Sequence, residues 1–164
     1  MATEIVSIVD STNTVIGAMP RNQMRAQSVI YQVTYILVFN SGGDLLVQRR
    51  TDTKDVYPGL LDLAAGGVVL AEESYEVSAA RELEEELGIS VPLNRHFDIW
   101  FEDSTCSPAN RNWGRVFSCV HDGPFSLQAS EVVSVEFMPL DDALTIDPEE
   151  VTPDSRQVLV AYLL

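Results

Sequence analysis

The chain has 164 residues, of which 46% are hydrophobic, enough to bury one sizeable core. We therefore expect a single domain over residues 1–164. The formal net charge is −15, from 25 acidic and 10 basic residues, and this negative field repels phosphate backbones. Nucleic acid is therefore excluded as a bulk partner. A small phosphorylated ligand can still bind where the few cations converge or where a metal ion neutralises the acids.

No apolar run approaches the roughly 20 residues needed to span a bilayer, so we expect no membrane partner. The N-terminus is acidic and rich in turn residues, unlike a signal peptide, and a cytoplasmic protein is expected. The two cysteines, Cys106 and Cys119, lack the spacing of a disulfide framework or of a zinc site. Each is expected to be an ordinary thiol.

The first part of the chain predicts a hairpin followed by a long central strand. The apolar residues of EIVSIVD (4–10) and VIGAM (15–19) flank turn chemistry, which predicts a small hairpin in an N-terminal extension over residues 1–27. VIYQVTYILVFN (29–40) is dense in β-branched and aromatic residues and predicts a central strand. The turn SGGD then leads to its hairpin partner, LLVQRR (45–50).

The second part predicts a helix, three strands and a terminal helix. After a loop over 51–62, Ser74 is a good N-terminal cap and Gly88 a good C-terminal stop, so a helix is expected between them. Three strand candidates follow, at 96–102, 113–121 and 132–140. Apolar residues at helical spacing after Pro153 predict a C-terminal helix. We expect a mixed or antiparallel sheet.

Four glutamates crowd the end of the predicted long helix. Like charges one turn apart repel, and the negative end of the helix dipole lies close to them. At about 100° per residue, Glu82, Glu85 and Glu86 share one arc, and Glu84 falls outside it. The opposite face carries an apolar stripe, formed by Ala80, Leu83 and Leu87. Three carboxylates on one face suit a magnesium-type cation; a solvated acidic face is the alternative.

The residues that precede the helix favour the metal site. At Gly66 and Gly67 the absent side chains let backbone carbonyls turn toward a cation, or let a phosphate approach. Glu73 and Arg81 are placed to orient the glutamates through ion pairs. For Arg81 the alternative is a surface ion pair alone.

The complete spacing is Gly67, five residues, Glu73, seven residues, Arg81-Glu82-Leu83, one residue, Glu85-Glu86, one residue, Gly88-Ile89. This loop and helix, over 66–89, resembles the signature of the Nudix hydrolases, with every prescribed position filled. The strand order is also similar to the fold of that family, an α/β architecture of α+β type in which a mixed-sheet sandwich is flanked by helices.

The resemblance implies a hydrolase that uses Mg²⁺, or Mn²⁺ as a substitute, to cleave a diphosphate linked to another group X. The implied metal ligands are the catalytic Glu82, Glu85 and Glu86 and the carbonyl of Gly66. The implied supports are Gly67, Glu73 and Arg81. In this family the base that deprotonates the water is often a glutamate before the last sheet strand. By position this residue is Glu131, with a solvated loop acid as the alternative; the weaker candidates are Glu102 and Asp103.

Substrate phosphates also require cations. The candidates are Arg49, Arg50, Lys54 and Arg115. Because alternate strand residues face opposite ways, one of Arg49 and Arg50 is expected to point into the site, where an arginine suits bidentate phosphate contacts. Trp113 and Tyr57 can stack on a base, although core positions are the alternative. A homodimer is common in the resembling family, and the N-terminal hairpin offers an edge for pairing.

Nearly the whole chain is similar to the Nudix branch that contains isopentenyl-diphosphate isomerases and related bacterial hydrolases. Isomerisation is therefore a rival function. The isomerase cysteine is replaced here by Gly66, and the metal-binding histidine by Val68. The isomerase Glu-x-Glu pair is replaced by Asn110-Arg111-Asn112. Hydrolysis is favoured, since these changes remove the acid, the base and one ligand. A module that senses a nucleotide or metal without turnover is a further alternative, which the intact glutamates disfavour.

Overall fold

The computed structural model describes residues 3–164, whose eight strands form one mixed sheet. The strands are β1 (Ile5–Val9), β2 (Val15–Pro20), β3 (Tyr31–Phe39), β4 (Leu45–Arg50), β5 (Leu61–Asp62), β6 (Asn94–Asp103), β7 (Asn110–Val120) and β8 (Val132–Met138). The helices are α1 (Arg21–Gln27), α2 (Tyr75–Leu87), α3 (Leu140–Leu144) and α4 (Pro153–Tyr162). Within residues 3–164, no helix is long and apolar enough to cross a membrane.

The sheet is built around the buried strand β3, as its dense apolar sequence predicts. The strands run in the order β2-β1-β3-β4-β5, with β7 parallel to β3 and β8 antiparallel to β4. β6 extends the sheet beyond β7. The expected mixed sheet and N-terminal hairpin, β1–β2, are both confirmed.

Beyond the turn that joins them, β3 and β4 separate, and the loop that precedes α2 fills the space. Only Phe39 and Leu45 are paired between the two strands. The loop runs antiparallel to β3, with Ala65 opposite Ile36 and Val68 opposite Val33. The glycines of the signature are therefore fixed to the centre of the sheet by backbone hydrogen bonds.

Helix α2 begins and ends where its cap residues predict. The Ser74 hydroxyl accepts a hydrogen bond from the Val77 amide at 3.1 Å, and Gly88 ends the helix with a φ of 67°. The helix packs on the sheet through Tyr75, Ala79, Leu83 and Leu87. The predicted apolar stripe is wrong at Ala80, which is exposed while Ala79 is buried.

Two short helices form where the sequence predicts none. Helix α1 lies in a polar stretch and buries only Met24, so it lacks the apolar period that marks a helix in sequence. Helix α3 is a single five-residue turn after β8. The second core cluster, on the sheet face opposite α2, includes Met24 of α1, Ala143 of α3, and Val158 and Leu159 of α4. Both cysteines are free thiols, as expected.

Candidate active site

The two glycines of the signature loop stand where a side chain could not fit. Gly66 has a φ of +126°, and a Cβ there would lie 2.1 Å from the Thr34 carbonyl oxygen on β3. A Cβ on Gly67 would lie 2.7 Å from the carboxyl group of Glu82. Gly66 therefore permits the path of the loop, and Gly67 permits the Glu82 carboxylate to approach the loop backbone.

Arg81 ties three of the acidic residues of the signature together. Its Nε donates to both carboxylate oxygens of Glu73, at 3.2 and 3.1 Å. Its Nη1 donates to Glu82 at 3.1 Å and to Glu85 at 3.2 Å. Burial lowers the pKa of Arg81, but hydrogen bonding to Glu73 and the charge of Glu82 raise it above its ordinary value. The guanidinium thus stays charged and holds the three carboxylates close together.

Glu86 is the most deeply buried acidic residue of the helix. Only 4% of Glu86 is exposed, and its carboxylate accepts from the Gly66 amide at 3.0 Å and from Gln48 Nε2 at 3.3 Å. Burial, followed by the charge of Glu82, raises the pKa of Glu86 to about 8. Glu86 therefore has a different environment from Glu82 and Glu85, because its hydrogen bonds place it in the gap between β4 and the loop.

Glu82 and Glu85 complete the acidic set. The Glu82 side chain is 14% exposed and that of Glu85 47% exposed. Burial raises the pKa of Glu82 to about 7, although the charge of Arg81 opposes the change. Two neighbouring buried carboxylates thus lack enough positive charge to keep their ordinary pKa values.

The donor chemistry of this cluster fits a hard divalent cation. Glu82, Glu85 and Glu86 offer carboxylate oxygens, and the Gly66 carbonyl accepts no hydrogen bond from any residue between 3 and 164. Yet across those residues no group of three acidic, histidine or cysteine side chains converges closely enough to hold an ion. Arg81 binds two of the glutamates instead, and supplies part of the positive charge that a cation would provide.

A cationic cleft of about 60 Å³ opens beside the signature glycines. Its basic lining residues are Arg21, Arg25, Arg50 and Lys54. Arg50 is the member of the Arg49-Arg50 pair that reaches the cleft, but its guanidinium already forms hydrogen bonds with other protein groups. Its nitrogens donate to Asp62 at 2.9 Å, to the Tyr57 carbonyl at 3.2 Å and to the Val56 carbonyl at 2.9 Å. Arg50 therefore holds the loop after β4 in place.

Two of the predicted phosphate-binding residues do not line the cleft. Arg49 is exposed and donates to the Gly59 carbonyl at 2.9 Å. Arg115 lies on β7, beside the start of α2, and donates to Asp98 at 2.7 Å and to Glu76 at 3.1 Å. Its guanidinium also stands 4.3 Å from the centre of the Tyr75 ring. The structure brings neither arginine to the signature loop.

Arg21 and Arg25 are site residues that the sequence reasoning missed. They lie one turn apart on α1, and both bind Asp55 in the loop after β4, at 3.1 and 3.0 Å. Burial raises the pKa of Asp55, but Arg25 and Arg21 together lower it well below its ordinary range. The i, i+4 spacing of the two arginines in a short polar stretch was the available signal. Asp62 and Asp154, which also line the cleft, carried no such signal.

Glu131, the predicted base, is connected to the cleft through Lys54. The two side chains form an ion pair, and the charge of Lys54 also acts on buried Glu86, whose pKa it lowers. Lys54 therefore lies close to both Glu131 and Glu86 of the signature helix. The weaker candidates lie elsewhere: Glu102 accepts a hydrogen bond from Ser104, and Asp103 accepts one from the Tyr57 hydroxyl at 2.8 Å.

The two aromatic candidates are placed differently. Tyr57 lines a second pocket beside the cleft. Trp113 packs against Trp100, with ring centres 5.5 Å apart, and its indole donates to the Ser11 carbonyl at 3.2 Å. Trp113 lines neither pocket, so its contacts are structural.

Comparisons with known proteins agree with this geometry. The NUDIX domain profile matches residues 31–162. The Nudix hydrolase YfcD of Escherichia coli K12 is 48% identical over 163 residues, covering 99% of this chain and 88% of YfcD. The Pseudomonas aeruginosa Nudix hydrolase PA4841 is 46% identical over 164 residues, covering 98% and 94% of the two chains.

Solved structures share the fold. The crystal structure of DR0079 from Deinococcus radiodurans superposes with a TM-score of 0.80 at 21% identity, covering 96% of this chain and 98% of DR0079. A MutT protein from Methanosarcina mazei gives a TM-score of 0.70 at 23% identity, over 81% and 92% of the two chains. The signature loop, the acidic helix and the sequence relatives lead to one conclusion. The chain belongs to the Nudix family and is a hydrolase of diphosphate bonds in phosphorus-containing anhydrides.

Proposed function

We propose that the protein is a Mg²⁺-dependent hydrolase that cleaves a diphosphate bond in a small metabolite of the nucleoside-diphosphate-X type. An activated water attacks phosphorus. The observation that carries the proposal is the pair of buried carboxylates, Glu82 and Glu86, beside the Gly66-Gly67 loop at a cationic cleft. Burial of these acids is costly because Arg81 and Lys54 offset only part of their charge, and a divalent cation would supply the rest.

The cation-binding residues in this proposal are Glu82, Glu85, Glu86 and the carbonyl of Gly66. At these residues Mg²⁺, or Mn²⁺ in its place, would neutralise diphosphate oxygens and lower the pKa of a water molecule. Arg81 and Glu73 orient the glutamates, and Gly67 leaves room for Glu82. Glu131 accepts the proton of the attacking water, and its ion pair with Lys54 holds it at the cleft.

Isomerisation is a poorer fit to the residues of the cleft. Asn110 and Asn112, at the positions of the isomerase glutamates, are neutral amides. The Asn110 Oδ1 accepts from the Tyr31 hydroxyl at 2.5 Å, and the Asn112 Oδ1 from the Tyr35 hydroxyl at 3.2 Å. Neither side chain can take a proton from carbon. The resemblance to the isomerase branch therefore concerns the scaffold, and membership of that branch stays a prediction.

The test is hydrolysis of the diphosphate bond, with Mg²⁺ and with EDTA, followed by chromatographic detection of the phosphorylated products. The substrate panel contains nucleoside diphosphate sugars, dinucleotides, nucleoside triphosphates, coenzyme A and isopentenyl diphosphate. Metal-dependent hydrolysis of a nucleoside diphosphate derivative supports the proposal, and the best substrate defines X. Saturable binding of the same compounds with no turnover would instead favour a module that senses nucleotides or metals. Turnover that persists in EDTA would refute the metal dependence.

A further inference from the structure

A second pocket adjoins the cationic cleft and shares part of its wall. It has a volume of about 270 Å³. The residues common to both are Arg25, Tyr31, Val56 and Asn110. Its remaining walls come partly from α1 and the segment that follows it, at Met24, Ser28 and Val29. These three residues lie outside residues 31–162, which match the NUDIX profile. The N-terminal segment thus contributes to a pocket next to the site of hydrolysis.

Arg25 stands at the junction of the two pockets in a fixed orientation. Its Nε donates to Asp55 at 3.0 Å, and its Nη1 donates to the Tyr31 hydroxyl at 2.6 Å and to Asn110 Oδ1 at 3.4 Å. The guanidinium also lies 4.7 Å from the centre of the Tyr31 ring. Its Nη2 has no hydrogen-bond partner in residues 3–164, and it is not one of the buried polar atoms that lack a partner. Arg25 therefore presents free donors from a preorganised position.

The walls of the second pocket offer few free hydrogen-bonding groups. Its apolar surface comes from Met24, Val29, Val56, the Tyr57 ring, Pro108 and Ala109. Its polar side chains are largely paired with protein groups. The Ser28 hydroxyl donates to the Ala109 carbonyl at 2.5 Å. The Tyr57 hydroxyl and the Cys106 thiol both donate to Asp103 Oδ2, at 2.8 and 3.3 Å.

Resting on the proposed function, we propose that Arg25 binds the substrate phosphate next to X, and that the second pocket receives X. The pocket selects a compact X with apolar surface and few hydrogen-bonding atoms. An X rich in hydroxyl or amide groups would leave those groups desolvated and unpaired against these walls, which lowers affinity. An apolar X loses no hydrogen bonds there and gains from burial.

The test uses probes that cannot be hydrolysed, so that binding is separated from turnover. Methyl, hexyl and ribosyl esters of methylenebisphosphonate are titrated calorimetrically in Mg²⁺. The hexyl ester is expected to bind at least tenfold more tightly than the methyl ester, because it buries additional methylene groups. The ribosyl ester is expected to gain less than the hexyl ester. Equal affinity for methyl and hexyl esters, or tightest binding of the ribosyl ester, would overturn the assignment of X.

Two variants examine the parts of the proposal separately. Arg25→Gln is expected to weaken binding of all three esters about tenfold or more. Gln23→Ala, at an exposed position of the same helix, and Arg49→Gln, an exposed arginine outside both pockets, serve as controls and are expected to bind like the parent. Ala109→Phe fills the second pocket and is expected to remove the hexyl gain while methyl binding stays within about twofold.

The outcomes also separate this proposal from the proposed function. If Arg25→Gln binds like Arg49→Gln, the phosphate role of Arg25 is wrong even though hydrolysis stands. If binding behaves as described but no diphosphate is hydrolysed, the proposed function is wrong and the pocket assignment stands. Should Arg25→Gln fail to fold, judged by its thermal unfolding, Arg25→Lys replaces it. This variant keeps the charge beside Asp55 but lacks the planar fork, and parent-like binding by folded Arg25→Lys would overturn the role of Nη2.

Discussion

Replacing Glu86 with glutamine should stabilise the metal-free protein at alkaline pH. The carboxyl group of Glu86 has a pKa raised from 4.5 to about 8, chiefly by burial. The folded state therefore retains a proton on Glu86 that the unfolded state releases above about pH 4.5. By linkage, the free energy of unfolding falls as the pH rises from about 4.5 to about 8, above which the full cost is present.

The magnitude follows from the size of this shift. A rise of the pKa from 4.5 to about 8 corresponds to about 5 kcal/mol in full, at about 1.4 kcal/mol for each tenfold change in the ionisation constant. Relaxation and entry of water reduce the cost of a buried charge, so we expect about 1 to 3 kcal/mol at pH 8.5. Glu86→Gln keeps the acceptor for the Gly66 amide and has no charge to bury. The variant should exceed the parent by this amount at pH 8.5 and match it closely at pH 5.

Urea unfolding in EDTA at both pH values measures the difference. Glu84→Gln is the matched control, because it removes the same charge from an exposed position on the same helix, and it should change stability by less than about 0.5 kcal/mol. Two results would refute the reasoning: equal behaviour of the two variants at pH 8.5, or a Glu86→Gln protein that is less stable than the parent at both pH values. Saturating Mg²⁺ should abolish the pH dependence of the parent.

Three further predictions concern other parts of the site. Gly66→Ala should lower the free energy of unfolding by at least about 2 kcal/mol, because its Cβ would meet the Thr34 carbonyl at a φ of +126°. The control is Gly17→Ala, where a Cβ has open space. Equal losses of stability in the two variants, measured by urea unfolding, would contradict this reasoning. Gly67→Ala should fold but bind Mg²⁺ at least tenfold more weakly by calorimetry, since its Cβ displaces the Glu82 carboxyl; unchanged affinity would disprove the role of Glu82. Glu131→Gln should reduce kcat about 100-fold with little change in KM. The control, Glu102→Gln, should keep the kcat of the parent. If Glu131→Gln also keeps the parent's kcat at all pH values, Glu131 is not the base.

Local features of the sequence were enough to predict α2 and the identity of its acidic residues. The Ser74 cap, the Gly88 stop and the spacing of the glutamates act within a few residues of chain, and the structure places the helix between those caps. The pairing of Arg81 with Glu73, Glu82 and Glu85 also follows from proximity along one helix and its entry loop.

The differences among the glutamates depend on contacts distant in sequence. Glu86 is buried because Gln48 of β4 and the Gly66 amide reach it from other parts of the chain. Helical periodicity treats it like Glu82 and cannot predict a pKa of about 8. The apolar stripe was predicted wrongly at Ala80 for the same reason, since packing against the sheet sets the rotation of α2 about its axis.

The basic residues that line the cleft were the hardest to predict. One arginine of the pair, Arg50, reaches the cleft as alternation predicts, but Asp62 and two loop carbonyls occupy its guanidinium, and these contacts are distant from the strand pattern. Arg21 and Arg25 reach the cleft only because α1 docks beside the loop that carries Asp55. The seven-residue polar helix α1 has too little hydrophobic periodicity for the sequence to predict where it docks.

The most direct test of the central claim compares two isosteric variants of the signature helix in one assay. Initial rates of diphosphate hydrolysis are measured against Mg²⁺ concentration for the parent, Glu85→Gln and Glu84→Gln, using the best substrate of the panel. The account predicts metal-dependent turnover in the parent and in Glu84→Gln, and a loss of at least 100-fold in folded Glu85→Gln. Full activity in Glu85→Gln, or equal losses in both variants, would contradict the assignment of the glutamate cluster as the catalytic metal site.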